Sequence, residues 1–112
     1  MRQPAKMTEF LLVLTTVPEE KTGHEIGRTQ VEEKLAACVT VSPSARSFYR
    51  WERKLCAEEE HILFIKTRAS LFERLEARLK TLHPYKVPEI IALPVEKGSK
   101  DYLGWLDEET EG

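Results

Sequence analysis

What this 112-residue sequence lacks narrows its chemistry early. Its apolar runs, such as Leu11 to Leu14 and Ile62 to Ile65, fall far short of the roughly 20 residues that cross a bilayer, so no membrane-spanning helix is expected. A large charge of one sign is missing as well. The 17 Lys and Arg stand against 19 Asp and Glu, and the formal net charge of −2 gives no overall field to draw in nucleic acid or anionic lipid. Cysteine is scarce: Cys38 and Cys56 lie far apart, outside any Cys-x-x-Cys pattern, which predicts free thiols and a reducing, cytoplasmic setting. The constellations of common enzymes are absent too. There is no Gly-rich phosphate loop, no G-x-S-x-G, no His-Glu-x-x-His and no cysteine with an obvious basic partner, so the sequence does not read as an enzyme. Met1 to Thr8 has neither the apolar core nor the small-residue cleavage site of a signal peptide and reads as a flexible N-terminus.

What is present suits one domain over residues 1–112: 41% apolar residues, enough for a core without disulfides or metal. Glu9 to Val17 contains a continuous apolar run, the pattern of a central strand covered on both faces. Pro18, with Thr16 as cap, then opens a helix over about 18–35, apolar on a thin stripe of Ile26, Val31 and Leu35, with Gly23 and Gly27 allowing close packing on a sheet. Ala37 to Val41 is a second strand, and Pro43 marks it as an edge, a bulge or a kink. Extended structure resumes at Ser47, turns at Glu52 to Lys54, and returns through the central run Ile62 to Ile65. Ser70 and Glu73 have capping-box spacing for a second helix, with Leu71, Phe72, Leu75, Leu79 and Leu82 as its buried stripe and His83-Pro84 as its stop. Glu89 to Val95 is a last strand, an edge because of Pro94, and Ser99 caps a C-terminal helix. This order is the split βαβ, ferredoxin-like α+β topology, antiparallel, with strands one and three central.

One feature fits a lone globule poorly. A strand from Ala37 to Trp51 would reach roughly 50 Å, wider than a domain whose radius of gyration is roughly 13 Å. The hairpin must bend or project, exposing Phe48, Tyr49 and Trp51 for another chain to cover, which predicts a homo-oligomer. The segment His83-Pro84-Tyr85-Lys86-Val87-Pro88-Glu89 is the most unusual. Its prolines stiffen a loop between an imidazole and a carboxylate, two donors suited to copper, nickel or zinc, though too few for a closed site. A structural role for His83 at a helix end accounts for the same spacing. Lys66, at the end of a central strand, can face an anion or a carboxylate such as Glu89.

Leu14-Thr15-Thr16-Val17-Pro18, Glu33-Lys34-Leu35-Ala36-Ala37-Cys38-Val39, Tyr49-Arg50-Trp51-Glu52, Ile65-Lys66-Thr67, Leu82-His83-Pro84-Tyr85 with Pro88-Glu89-Ile90, and Tyr102-Leu103-Gly104-Trp105-Leu106 together resemble the CutA divalent-cation tolerance proteins. The resemblance implies a PII-like homotrimer of ferredoxin-like protomers, associated with tolerance to copper and other divalent metals and with no established catalytic reaction. It places Trp51, Glu52, Lys66, Tyr85, Glu89, Tyr102 and Trp105 around the clefts between subunits. The family's best-known bacterial copper site uses a cysteine and two adjacent histidines; here Thr15 and Leu82 stand at two of those positions and only His83 remains. Copper(II) or another divalent metal is then a weakly bound ligand of His83 and Glu89 rather than an obligatory cofactor. The competing expectation is a signalling or scaffold trimer whose clefts take a small anion or a partner protein.

Overall fold

The structure is a computed structural model and describes residues 9–110; the expectation for residues 1–8 lies outside them. Along the chain run β1 (Phe10–Val17), α1 (Glu20–Glu32), β2 (Cys38–Trp51), β3 (Lys54–Arg68), α2 (Phe72–Leu82), β4 (Ile91–Pro94) and α3 (Lys100–Glu109), with a 3-10 turn at Ala69–Leu71 leading into α2. The strands form one antiparallel sheet in the order β2-β3-β1-β4. The two apolar runs are its centre and the two proline-bearing strands its edges, as the residue patterns predict.

Register explains how the core forms. Val13 pairs with Ile65 and Thr15 with Leu63, so the odd-numbered residues of both strands share one face. Val13, Thr15, Val17, Leu63, Ile65 and Thr67 have no exposed surface. α1 lays Gly23, Ile26, Gly27 and Gln30 on this face, at spacings of three and four. A Cβ at Gly23 would stand 3.2 Å from Val41 Cγ1 and 3.3 Å from Leu63 Cδ1, so glycine sets how closely the helix approaches. From α2, Leu75 and Leu79 complete the cluster.

Four local expectations are corrected. Val31 turns outward, and Gln30 takes its place, its Nε2 donating to the Leu75 carbonyl at 3.2 Å across the two helices. α1 begins at Glu20, because Thr16 stays in β1 and caps nothing. It ends at Glu32, short of Leu35, where Lys34 takes a φ of 60° and the Leu35 amide turns back to the Gln30 carbonyl. Ser70 lies inside the 3-10 turn, one step from the α2 N-cap at Leu71, and makes no cap bond. Ser99, by contrast, does cap α3, its Oγ accepting from the Tyr102 amide at 3.1 Å.

The opposite face of the sheet is only partly covered. α3 lies over one end, where Leu106 packs with Phe10 and Ala37. Arg68 fastens it, donating from Nε to Thr110 Oγ1 at 3.0 Å and from Nη2 to both the carbonyl and the carboxylate of Asp107. Beyond α3, Leu12, Leu14, Ile62 and Phe64 remain half-buried, while Ile91 and Leu93 of β4 are exposed.

The β2–β3 hairpin projects, which raises the Cα radius of gyration to 15.3 Å. A register shift between Val41 and Ser44 forms a bulge at Pro43, one of the three alternatives its position allows. It switches faces. Before it Val41 pairs with Leu63 toward the helices; after it Ala45 pairs with Glu60 and Tyr49 with Cys56, so Ser47, Tyr49 and Trp51 join the other face. The hairpin closes through Glu52 and Arg53 at φ 50° and 69°, a two-residue turn that glycine favours. Arg53→Gly therefore raises stability by about 0.5–1 kcal/mol, relief of the left-handed backbone outweighing the added freedom of the unfolded chain, and the urea midpoint measures it.

Candidate functional site

The site grows from the end of α2. Pro84 forces the preceding residue out of helical geometry, and His83 adopts φ −82° and ψ 134°. Its ring turns inward and is 8% exposed. Nε2 donates to the Thr16 carbonyl at 2.7 Å, and Nδ1 accepts the Tyr85 amide at 3.1 Å. A carbonyl can only accept and an amide N–H can only donate, so these partners select the neutral tautomer with its proton on Nε2. The imidazole thus fixes the loop after α2 against β1.

Tyr85 is presented by that bond and lies against the His83 ring, centroids 4.9 Å apart. Its hydroxyl donates to Glu60 Oε2 at 2.7 Å. Burial, reinforced by the Glu60 carboxylate, pushes the Tyr85 phenol well above its ordinary value. Tyr49, on the hairpin, donates to Glu58 Oε1 at 3.4 Å and is also shifted upward, first by desolvation and then by the Glu58 charge. Glu60 itself is only 5% exposed, and among the described residues it forms no ion pair.

Between hairpin and loop opens a cleft of about 890 Å³. Tyr49, Trp51 and Glu52 line it from the hairpin, Tyr85, Lys86 and Glu89 from the loop, and Thr16 and Glu60 from the sheet. The lining holds the three carboxylates of Glu52, Glu60 and Glu89 against the one ammonium of Lys86. That balance suits a cation and disfavours the small anion of the competing expectation.

The expected site residues divide into two groups. Trp51, Glu52, Tyr85 and Glu89 share the cleft. Lys66, Tyr102 and Trp105 gather at α3 instead: Lys66 Nζ stands 5.8 Å from the Tyr102 ring centre, and the exposed Tyr102 and Trp105 rings are 5.5 Å apart. Lys66 makes no ion pair with Glu89 among the described residues, because β3 carries it toward the opposite end of the sheet. Of the expected metal pair, Glu89 lines the cleft, whereas both nitrogens of His83 are engaged with main chain. Thr15 and Leu82 do not supplement it: Thr15 is fully buried with an unpartnered hydroxyl, and Leu82 packs on the core. Among the described residues no three His, Cys, Asp or Glu side chains converge. Sequence reasoning missed Glu60, which sits in an acidic run that reads as solvated. The signal was its register, two residues before Ile62 on the face of the central apolar run.

Comparison with other proteins decides the family. The CutA1 divalent ion tolerance family matches residues 11–109. The chain belongs to the CutA family. A CutA divalent-cation tolerance protein of Thermus thermophilus is 46% identical over 99 residues, covering 88% of this chain and 96% of that one. The chloroplastic CutA of Arabidopsis thaliana is 43% identical over 110 residues, 98% of this chain and 60% of the longer plant protein. Solved CutA structures superpose closely. The Thermus thermophilus protein gives a TM-score of 0.89 at 45% identity, covering 91% and 99% of the two chains; CutA1 of Shewanella sp. SIB1 gives 0.92 at 34%, covering 96% and 100%.

In this CutA chain the cleft wall rests on His83. His83→Ala leaves the Thr16 carbonyl and the Tyr85 amide without partners, at roughly 1–3 kcal/mol for each if water does not reach it, and less for these part-buried groups where it does. The expected loss is about 2–4 kcal/mol in urea unfolding. The Tyr85 phenol predicts a pH effect of definite sign. Its folded value lies above the unfolded one near 10, so its contribution is complete below pH 10 and is lost as pH rises toward the folded value. An ultraviolet phenolate titration is expected to show late-titrating tyrosine absorbance, of which Tyr85→Phe removes one tyrosine's share and leaves that of Tyr49.

Proposed function

We propose that this CutA protein works in the cytoplasm as a PII-like homotrimer that supports divalent-cation tolerance by holding cations weakly in its clefts. The observation that carries this reading is the surplus of carboxylates in the cleft of a chain whose relatives are named for divalent-cation tolerance. Glu89 supplies the first oxygen donor. His83 supplies Nδ1 only when the Tyr85 amide lets go of it, and that competition makes the binding weak and reversible. An imidazole and a carboxylate together suit copper(II).

Trimer formation is supported by what one chain leaves bare: the half-covered sheet face, the exposed β4 side chains Ile91 and Leu93, and a projecting hairpin with Phe48 68% and Leu55 73% exposed. The cytoplasmic setting rests on the free thiols Cys38 and Cys56; relatives carry the names chloroplastic and periplasmic. Among the described residues no helix is long and apolar enough to cross a membrane.

Light scattering tests the assembly and calorimetry the binding. The proposal expects a particle of three 12.9 kDa chains. Copper(II) titrated into metal-free protein is expected to saturate near one ion per chain, with Glu89→Gln weakening it about tenfold, the order of a lost charge-assisted contact. A monomer, or heat that never saturates, overturns the respective half of the reading.

A further inference from the structure

We propose that Ser42 and His61 form a side-chain clasp that fixes the register of the β2–β3 hairpin and so decides which hairpin face is offered to other copies of this chain. The first half stands on the protomer alone; the second rests on the association proposed above.

Pro43 has no N–H to give the ladder, but that loss fits an edge, a kink or a bulge equally. What selects the bulge is the way its freed polar groups are met. Val41 pairs with Leu63 and Ser44 with His61, so Ser42 and Pro43 together oppose Ile62. The Ile62 amide donates to Ser42 Oγ at 2.8 Å in place of a ladder carbonyl, and that hydroxyl donates in turn to the Pro43 carbonyl at 2.8 Å. The Ser42 carbonyl accepts from His61 Nδ1 at 3.0 Å. A carbonyl can only accept, so Nδ1 carries a proton, which one neutral tautomer and the imidazolium both provide. The clasp therefore needs no particular charge on the ring.

Register then decides the surface. With the bulge in place, Tyr49 and Trp51 share the open face of the sheet with Ile62 and Phe64. A ladder that ran on from Val41 and Leu63 without the extra residue would set Tyr49 opposite Leu55 instead of Cys56. It would also bring Arg46 and Arg50 to the open face in place of Tyr49 and Trp51. Two guanidinium groups on a face that another copy covers would have to give up water, which opposes association. The same slip would part Ser44 from Glu59, whose Oε1 accepts the serine hydroxyl at 3.0 Å in the native register.

The test uses the full chain and reads its register from cross-strand backbone contacts in NMR, beside its mass from light scattering. Ser42→Ala combined with His61→Phe removes both clasp side chains and leaves Pro43 in place. The Ile62 amide and the carbonyls of Ser42 and Pro43 then lose their partners, each shifting the balance between registers by about tenfold. Contacts of Tyr49 with Leu55 are expected to appear, together with loss of the assembled particle at a concentration where the wild type holds it. Pro43→Ala keeps the clasp and is expected to keep Tyr49 opposite Cys56, a result that decides the matter even if the double variant fails to fold. Ser42→Thr retains a hydroxyl and is expected to match the wild type in both readouts. A native register in the folded double variant overturns the clasp, as does a slipped register in Pro43→Ala. A slipped register in a particle of unchanged mass overturns its role in association. So does a monomeric wild type, which leaves the register result standing.

Discussion

A single imidazole held at both nitrogens by main chain connects the fold to the site. Nε2 of His83 is committed to β1 at Thr16 and Nδ1 to the loop at Tyr85, so the ring bridges two segments 67 and 2 residues away in sequence. Because the loop is fixed there, Tyr85 reaches Glu60, and because Tyr85 occupies one oxygen of Glu60, the other is left toward the cleft. The opposite wall depends on a separate device. The bulge near Pro43 shifts the hairpin register by one face, and without that shift Tyr49 and Trp51 would point to the helix side.

The molecule divides its sheet into two environments with different tasks. One face is closed by α1 and α2, brought near by glycine at 23 and 27, and carries the stability of the protomer. The other is closed only at one end, by α3 and the Arg68 bonds to Asp107 and Thr110. Its remaining apolar residues, together with the projecting hairpin, are the exposed surface on which the proposed assembly draws. A domain of this size has little stability to spare, and the partial coverage of one face is the physical ground for the proposed association.

Much of the fold was legible in the sequence because it follows from short-range rules. Continuous apolar runs marked the central strands, Pro43 and Pro94 the edges, and Ser99 the start of α3. Where two residues competed for one place, local rules failed. Gln30 took the buried position expected of Val31, because the helix phase that buries Gly23, Ile26 and Gly27 brings it inward, where its Nε2 reaches the Leu75 carbonyl while its Oε1 stays without a partner. The site was legible only by parts. Trp51, Glu52, Tyr85 and Glu89 were named and share the cleft, but Lys66, Tyr102 and Trp105 form a second cluster, which only the strand directions determine. Glu60 was hidden, because three consecutive glutamates look alike until register buries one of them.

The central claim is that His83 is a bridge between main-chain segments, and its ring protonation pattern tests this most directly. Two-bond proton–nitrogen NMR at pH 8, where imidazole is ordinarily neutral, distinguishes the tautomers. The account predicts one fixed tautomer, proton on Nε2 and a lone pair on Nδ1. A proton on Nδ1, or an average over both nitrogens, would contradict it.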